Sequence, residues 1–146
     1  MLMTLNASTS KTETGLQVEA GARGFKVVLD EPADMGGTDT GMNPIEMTLC
    51  AFGGCLTILT SMMASKMRLA VEDIKVDVEG DVDLDGLAGV KGVRPGLQNV
   101  RYTFHFKTAE PQKKIERLVS MVEAYCPVHD TLSNPVNVVR TDIVIE

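Results

Sequence analysis

The residues with most chemistry to offer are three cysteines, at positions 50, 55 and 126, and a histidine at 129. A thiolate is both a nucleophile and a target for oxidation, so each sulfur has to be judged by whether its surroundings free it from the thiol form. Cys55 directly follows Gly53 and Gly54 within an apolar run. Two glycines inside a helix cost about 1 kcal/mol each relative to alanine, which marks either close approach by another element or open space beside the thiol. Cys50 stands five positions earlier, about 140° away around a helix, and reads as an inert thiol. Cys126 lies in Ala124-Tyr125-Cys126-Pro127-Val128-His129-Asp130. Proline is favoured in the first turn of a helix, so Cys126 falls at a helix start, where free N–H groups and the dipole favour a thiolate. His129 lies one turn further on. Cys126 and His129 have a ligand-like spacing, but zinc needs two more ligands. No nucleophile-elbow sequence supports a Ser-His-Asp hydrolase.

These residues need elements to hold them. Asn43-Pro44 opens the helix that carries Cys55: Asn is a good N-cap, Pro suits the first helical position, and Glu46 completes a capping box. No proline interrupts the chain from there to about Leu69. Met47, Leu49, Phe52, Leu56, Ile58, Leu59, Met62 and Met63 place apolar side chains all around this helix, so protein must surround it. A chain of 146 residues has little material to enclose it alone, which points to a second subunit. Met42, Phe52, Leu56, Met62 and Met63 are the residues available for an apolar wall beside Cys55.

Around this helix the pattern is one of strands. Met3, Leu5 and Ala7, then Leu16, Val18 and Ala20, then Phe25 to Leu29 read as three short antiparallel strands broken at Glu13-Thr14-Gly15 and Gly21–Gly24. Residues 30–44, with three glycines and two prolines, read as a loop. Ile74, Val76 and Val78 alternate on one strand, and Val100, Tyr102, Phe104 and Phe106 on the next. A helix with Ile115, Leu118, Val119 and Val122 on one face follows Glu110-Pro111. A short helical segment then runs from Cys126 to Leu132, and a final strand from Val136 to Ile145. The order is that of a single α+β domain over residues 1–146, with a curved antiparallel sheet wrapped on a long helix.

Composition limits the partners. A net charge of −6 and no basic run longer than Lys113-Lys114 leave no stripe for nucleic acid or an anionic membrane. Residues 45–63 are nearly long enough to span a bilayer, but Glu46, the Gly pair and the nearby Lys66 and Arg68 favour a core helix. The odd number of cysteines, and an N-terminus without a basic start and apolar run, predict reduced thiols in a cytoplasmic protein.

Two spaced motifs make the pattern specific. Gly36-Gly37-Thr38-Asp39-Thr40-Gly41-Met42-Asn43-Pro44-Ile45-Glu46-Met47, with Cys55 twelve residues after Asn43, resembles the Asn-Pro-x-Glu…Cys helix of the OsmC/Ohr family. Cys126-Pro127-Val128 with Leu132 resembles that family's second-cysteine motif. The sequence is more similar to the general OsmC-like branch than to the organic hydroperoxide resistance branch. The resemblance implies an intertwined homodimer and a thiol peroxidase that needs no bound cofactor or metal. Cys55 would be the peroxidatic cysteine, Cys126 the resolving one, organic hydroperoxides the substrates, and a dithiol of the dihydrolipoyl type the reductant. Glu46 would orient an arginine against the reactive sulfur, and Arg23 is the candidate for that arginine. Glu46 and Cys55 are nine residues apart, about 13 Å of helical rise and on opposite faces; if both serve one site, the glutamate must come from the partner. The alternative is a redox-sensing or small-ligand-binding protein with the same cysteine pair and little turnover.

Overall fold

Alternating side chains over 71–82 and 97–108 do form strands. In the computed structural model, which describes residues 1–146, β4 spans Val71–Val82 and β5 Leu97–Thr108, paired antiparallel. Their burial alternates from Asp73 and from Asn99 onward, as expected for a sheet with one covered face. Val76 pairs with Phe104 and Val78 with Tyr102. The outer face carries opposed charges: Arg101 pairs with Glu79 and Asp81, and His105 with Asp77, across the strands. The connection contains a helical turn, α2 (Leu84–Leu87), capped by the Asp83 side chain.

The chain divides into two compact units, Met1–Cys50 and Ala51–Glu146. The first is a three-stranded antiparallel sheet in the order β1 (Ser8–Lys11), β2 (Val18–Ala22), β3 (Phe25–Leu29). β1 begins directly after the weak Met3–Ala7 pattern rather than within it: it is the four residues Ser8–Lys11 that reach opposite Val18–Gly21. The loop after β3 is built on one carboxylate. Asp30 is only 2 % exposed and accepts bonds from the hydroxyls and backbone N–H groups of Thr38 and Thr40 and from the Glu31 N–H. The Thr38 hydroxyl is the largest of several causes holding its carboxyl far below the usual carboxylate range. At Gly37 a side chain would collide with the Glu31 backbone at 1.9 Å, so the turn requires glycine.

α1 (Pro44–Lys66) begins in the first unit and continues in the second. Its start is the expected capping box: the Asn43 side chain accepts from the Glu46 N–H at 2.8 Å, and the Glu46 carboxylate accepts from the Asn43 N–H at 2.8 Å. The helix is long and apolar enough to cross a membrane. Its buried residues Phe52, Leu56, Thr60 and Ala64 recur every four positions, whereas Ile58 and Met62 are 65 % and 52 % exposed. Within one chain, then, the helix is covered on one side.

α3 (Gln112–Tyr125) contributes Leu118 and Val122, both fully buried. With Phe52, Leu56, Ala64 and Cys126 they form the core of the second unit. α4 (Pro127–Ser133) follows at once. The strand expected over Val136–Ile145 is not formed: residues 134–146 carry no regular structure, and Val138 and Ile145 are 88 % and 91 % exposed. A strand exists only by pairing, and β4 and β5 pair with each other alone.

Candidate active site

Helix periodicity puts Cys55 three residues after the core residue Phe52 and one before Leu56, at the edge of the buried stripe of α1. It is half-buried. The two glycines before it answer separately the two possibilities raised by the sequence. A side chain on Gly53 would meet Val78 of β4 at 3.1 Å, whereas one on Gly54 would meet nothing within 4 Å. Gly53 lets helix and sheet approach; Gly54 leaves room next to the thiol. That room is an open apolar groove of about 510 Å³ lined by Ala51, Gly54, Cys55, Ile58, Leu59 and Pro127.

None of the five residues expected as its wall lines this groove. Phe52 and Leu56 belong to the core, and Met62 and Met63 are absent from the lining. Met42 belongs to the first unit, where its carbonyl accepts the Asp30 N–H. The lining residues 51, 54, 55, 58 and 59 repeat as one helical face, a signal the sequence held once Cys55 was taken as its centre. Pro127 gave no such signal.

Cys126 ends α3 and caps α4. Its sulfur accepts the His129 backbone N–H at 3.4 Å, the N-cap geometry expected from Cys-Pro. The expected electrostatic outcome is nevertheless reversed. Cys126 is 1 % exposed, and loss of hydration pushes its thiol up from the ordinary value, against the hydrogen bond from His129 and with a further rise from Cys55. Burial outweighs the cap because a thiolate forfeits its hydration, whereas the cap returns one bond.

The central observation is the pairing of the two sulfurs. Cys126 Sγ donates to Cys55 Sγ at 3.1 Å across 71 positions of sequence. A disulfide needs about 2.05 Å, so a shift of about 1 Å brings the sulfurs to bonding distance once one of them has been oxidised. Cys50 is exposed. Behind Cys126, the Tyr102 hydroxyl donates to Glu123 at 2.8 Å. Burial first, then Glu123, pushes the phenol up to about 12. No local pattern announces this pair, which joins β5 to α3.

The other two expected site residues are engaged locally, in the first unit. Glu46 is exposed and held by Asn43. Arg23 sits in the β2–β3 turn with φ +54° and its guanidinium 5.4 Å from the Phe25 ring centre. No three His, Cys, Asp or Glu side chains converge as metal ligands do.

The chain is similar in fold to several solved structures. An OsmC-like protein from Mycoplasma pneumoniae superposes with a TM-score of 0.78 at 19% identity, over 91% of this chain and 89% of the other. An organic hydroperoxide resistance protein OsmC from Legionella pneumophila gives 0.66 at 20% identity, covering 90% of each chain. An organic hydroperoxide resistance protein from Elizabethkingia anophelis, with thiocyanate bound, gives 0.67 at 14% identity, over 89% of this chain and 88% of that one. At these identities the likeness concerns the fold. No curated protein sequence matches. The family model described as OsmC-like protein matches residues 37–140, a stretch that contains the capping box, Cys55 and Cys126, and the chain therefore belongs to the OsmC-like family.

Proposed function

We propose that the protein is a cysteine-based peroxidase that reduces organic hydroperoxides through a Cys55/Cys126 thiol–disulfide cycle in the oxidative stress response. The observation that carries this reading is the 3.1 Å approach of a groove-facing sulfur to a buried one. The Cys55 thiolate attacks the terminal peroxide oxygen, the O–O bond breaks, and the alkoxide takes a proton and leaves as the alcohol. Cys55 is then a sulfenic acid. Cys126 sulfur attacks it, the sulfenic oxygen leaves as water with the thiol proton, and a disulfide remains. An external dithiol of the dihydrolipoyl class reduces that disulfide and is itself oxidised. The groove beside Cys55 is apolar, which suits an alkyl or aryl hydroperoxide better than hydrogen peroxide.

The working form in this reading is a cytoplasmic, intertwined homodimer whose sheets wrap the long helix. Its support is the apolar surface one chain leaves uncovered, on α1 at Ile58 and Met62 and along residues 136–145. In the dimer Glu46 and Arg23 of one protomer complete the site around Cys55 of the other. No bound cofactor, nucleic acid or membrane enters the cycle.

The test is turnover of cumene and tert-butyl hydroperoxide with dihydrolipoamide. Catalysis in the native protein is expected, with loss to the uncatalysed level in Cys55→Ser. Cys126→Ser is expected to stop after one oxidation, with a sulfenic acid detectable by dimedone labelling. A single stoichiometric oxidation of the native protein without turnover would replace the enzyme by a redox sensor, and thiols inert to peroxide would leave a small-ligand carrier.

A further inference from the structure

A second concavity of about 560 Å³ lies in the same unit, within the size range of small-molecule sites. It shares no lining residue with the groove beside Cys55. One wall is aromatic: Phe52 meets Tyr102 edge-on with ring centres 5.2 Å apart, and the His129 ring lies 5.9 Å from Phe52 and 6.2 Å from Tyr102. Arg94, Gln98 and Thr131 are also on its surface.

The charges of this concavity run against those of the chain. The protein carries a net −6, yet no Asp or Glu lines the site. Carboxylates on the neighbouring elements have hydrogen-bond partners of their own. Glu123 takes the Tyr102 hydroxyl, Asp81 pairs with Arg101, and Asp130 takes the Asn134 amide. Gln98 and Thr131 direct their donors to backbone carbonyls. Arg94 makes no ion pair; it gives one N–H to the Leu97 carbonyl and keeps the rest of its fork of donors. A guanidinium without a carboxylate partner, beside an aromatic wall, matches a planar anion with an apolar body.

We propose that this concavity binds a small organic monocarboxylate with a flat aromatic body. The carboxylate accepts two parallel N–H bonds from Arg94, and the ring packs on Tyr102 and His129, which the buried Phe52 backs. The His129 backbone N–H is bonded to the Cys126 sulfur, while Cys126 itself does not line the concavity. The proposal is independent of the peroxidase reading.

Benzoate is the probe, titrated into the full chain at constant ionic strength while the ring resonances of His129 and Tyr102 are followed by NMR. A saturable one-to-one shift is expected. Binding should weaken about tenfold or more in Arg94→Gln, less in Arg94→Lys, and about tenfold or more for benzyl alcohol, which has the ring without the charge. Blocking the accessible thiols with iodoacetamide should leave it unchanged. A shift that never saturates, an affinity undiminished in Arg94→Gln, or binding abolished by the thiol block would each overturn the proposal; the last would place benzoate in the groove beside Cys55.

Discussion

At the residue scale, the two sulfurs of the pair differ in surroundings rather than in chemistry. Cys55 opens on an apolar groove, while Cys126 is sealed behind it with a raised pKa and its proton directed at Cys55. A resting thiol suits a resolving role, because its thiolate is needed only after Cys55 has been oxidised. In Cys55→Ser, Cys126 should therefore react with iodoacetamide about tenfold or more slowly than the exposed Cys50. Denaturant should erase that difference. Equal rates in the folded protein, read by peptide mass spectrometry, would mean that Cys126 is accessible and the division of roles is wrong. Cys-Pro did locate Cys126 at a helix start, as the sequence predicted. Its pKa could not be read locally, because the core that buries it includes Phe52 and Leu56 of α1, an element distant in sequence.

Among the elements, α1 does most to position the site. Its N-terminus was legible down to the reciprocal bonds of Asn43 and Glu46, since a capping box is a local interaction over three residues. The Gly53-Gly54 pair was legible as a peculiarity but not in its resolution, because only β4 distinguishes the two positions. The distinction is testable by thermal or urea unfolding. Gly54→Ala meets open space and should stabilise the protein by up to about 1 kcal/mol through helix propensity. Gly53→Ala drives a methyl to 3.1 Å from Val78 and should gain clearly less or destabilise. Equal gains at both positions would show that helix and sheet are not in contact there.

Over the whole molecule, the shifted groups set the pH range of stability. Asp30, Asp77, Asp81 and Glu110 all have folded pKa values below their ordinary ones: Asp30 through Thr38, Asp77 through Lys75, Asp81 through Arg101, and Glu110 through the Ala70 N–H. Their contribution is present above the unfolded carboxylate pKa near 4 and is lost as pH falls below it. Tyr102 and Cys126 are raised, so their contribution is present below the ordinary values of 10.0 and 9.0 and is lost as pH rises through the folded ones. Thermal melts should thus show a plateau with an acid limb below about pH 4 and an alkaline limb above about pH 9. Asp30→Asn should lower the plateau and flatten the acid limb, and an acid limb unchanged in that variant would remove Asp30 from the account. The sequence by itself determined the α+β class and the order of the main elements as far as the short helix after Cys126, the capping box, the alternating faces of β4 and β5, and the family to which the two cysteine motifs belong, because each depends on neighbours within a few residues or on a fixed period. Tertiary structure alone decided that the sulfurs at 55 and 126 meet, that Cys126 is held as a thiol, that Gly54 faces a groove, and that 136–145 has no strand to pair with in its own chain. Distance, desolvation and strand pairing all depend on residues far apart in sequence, and no local pattern encodes them.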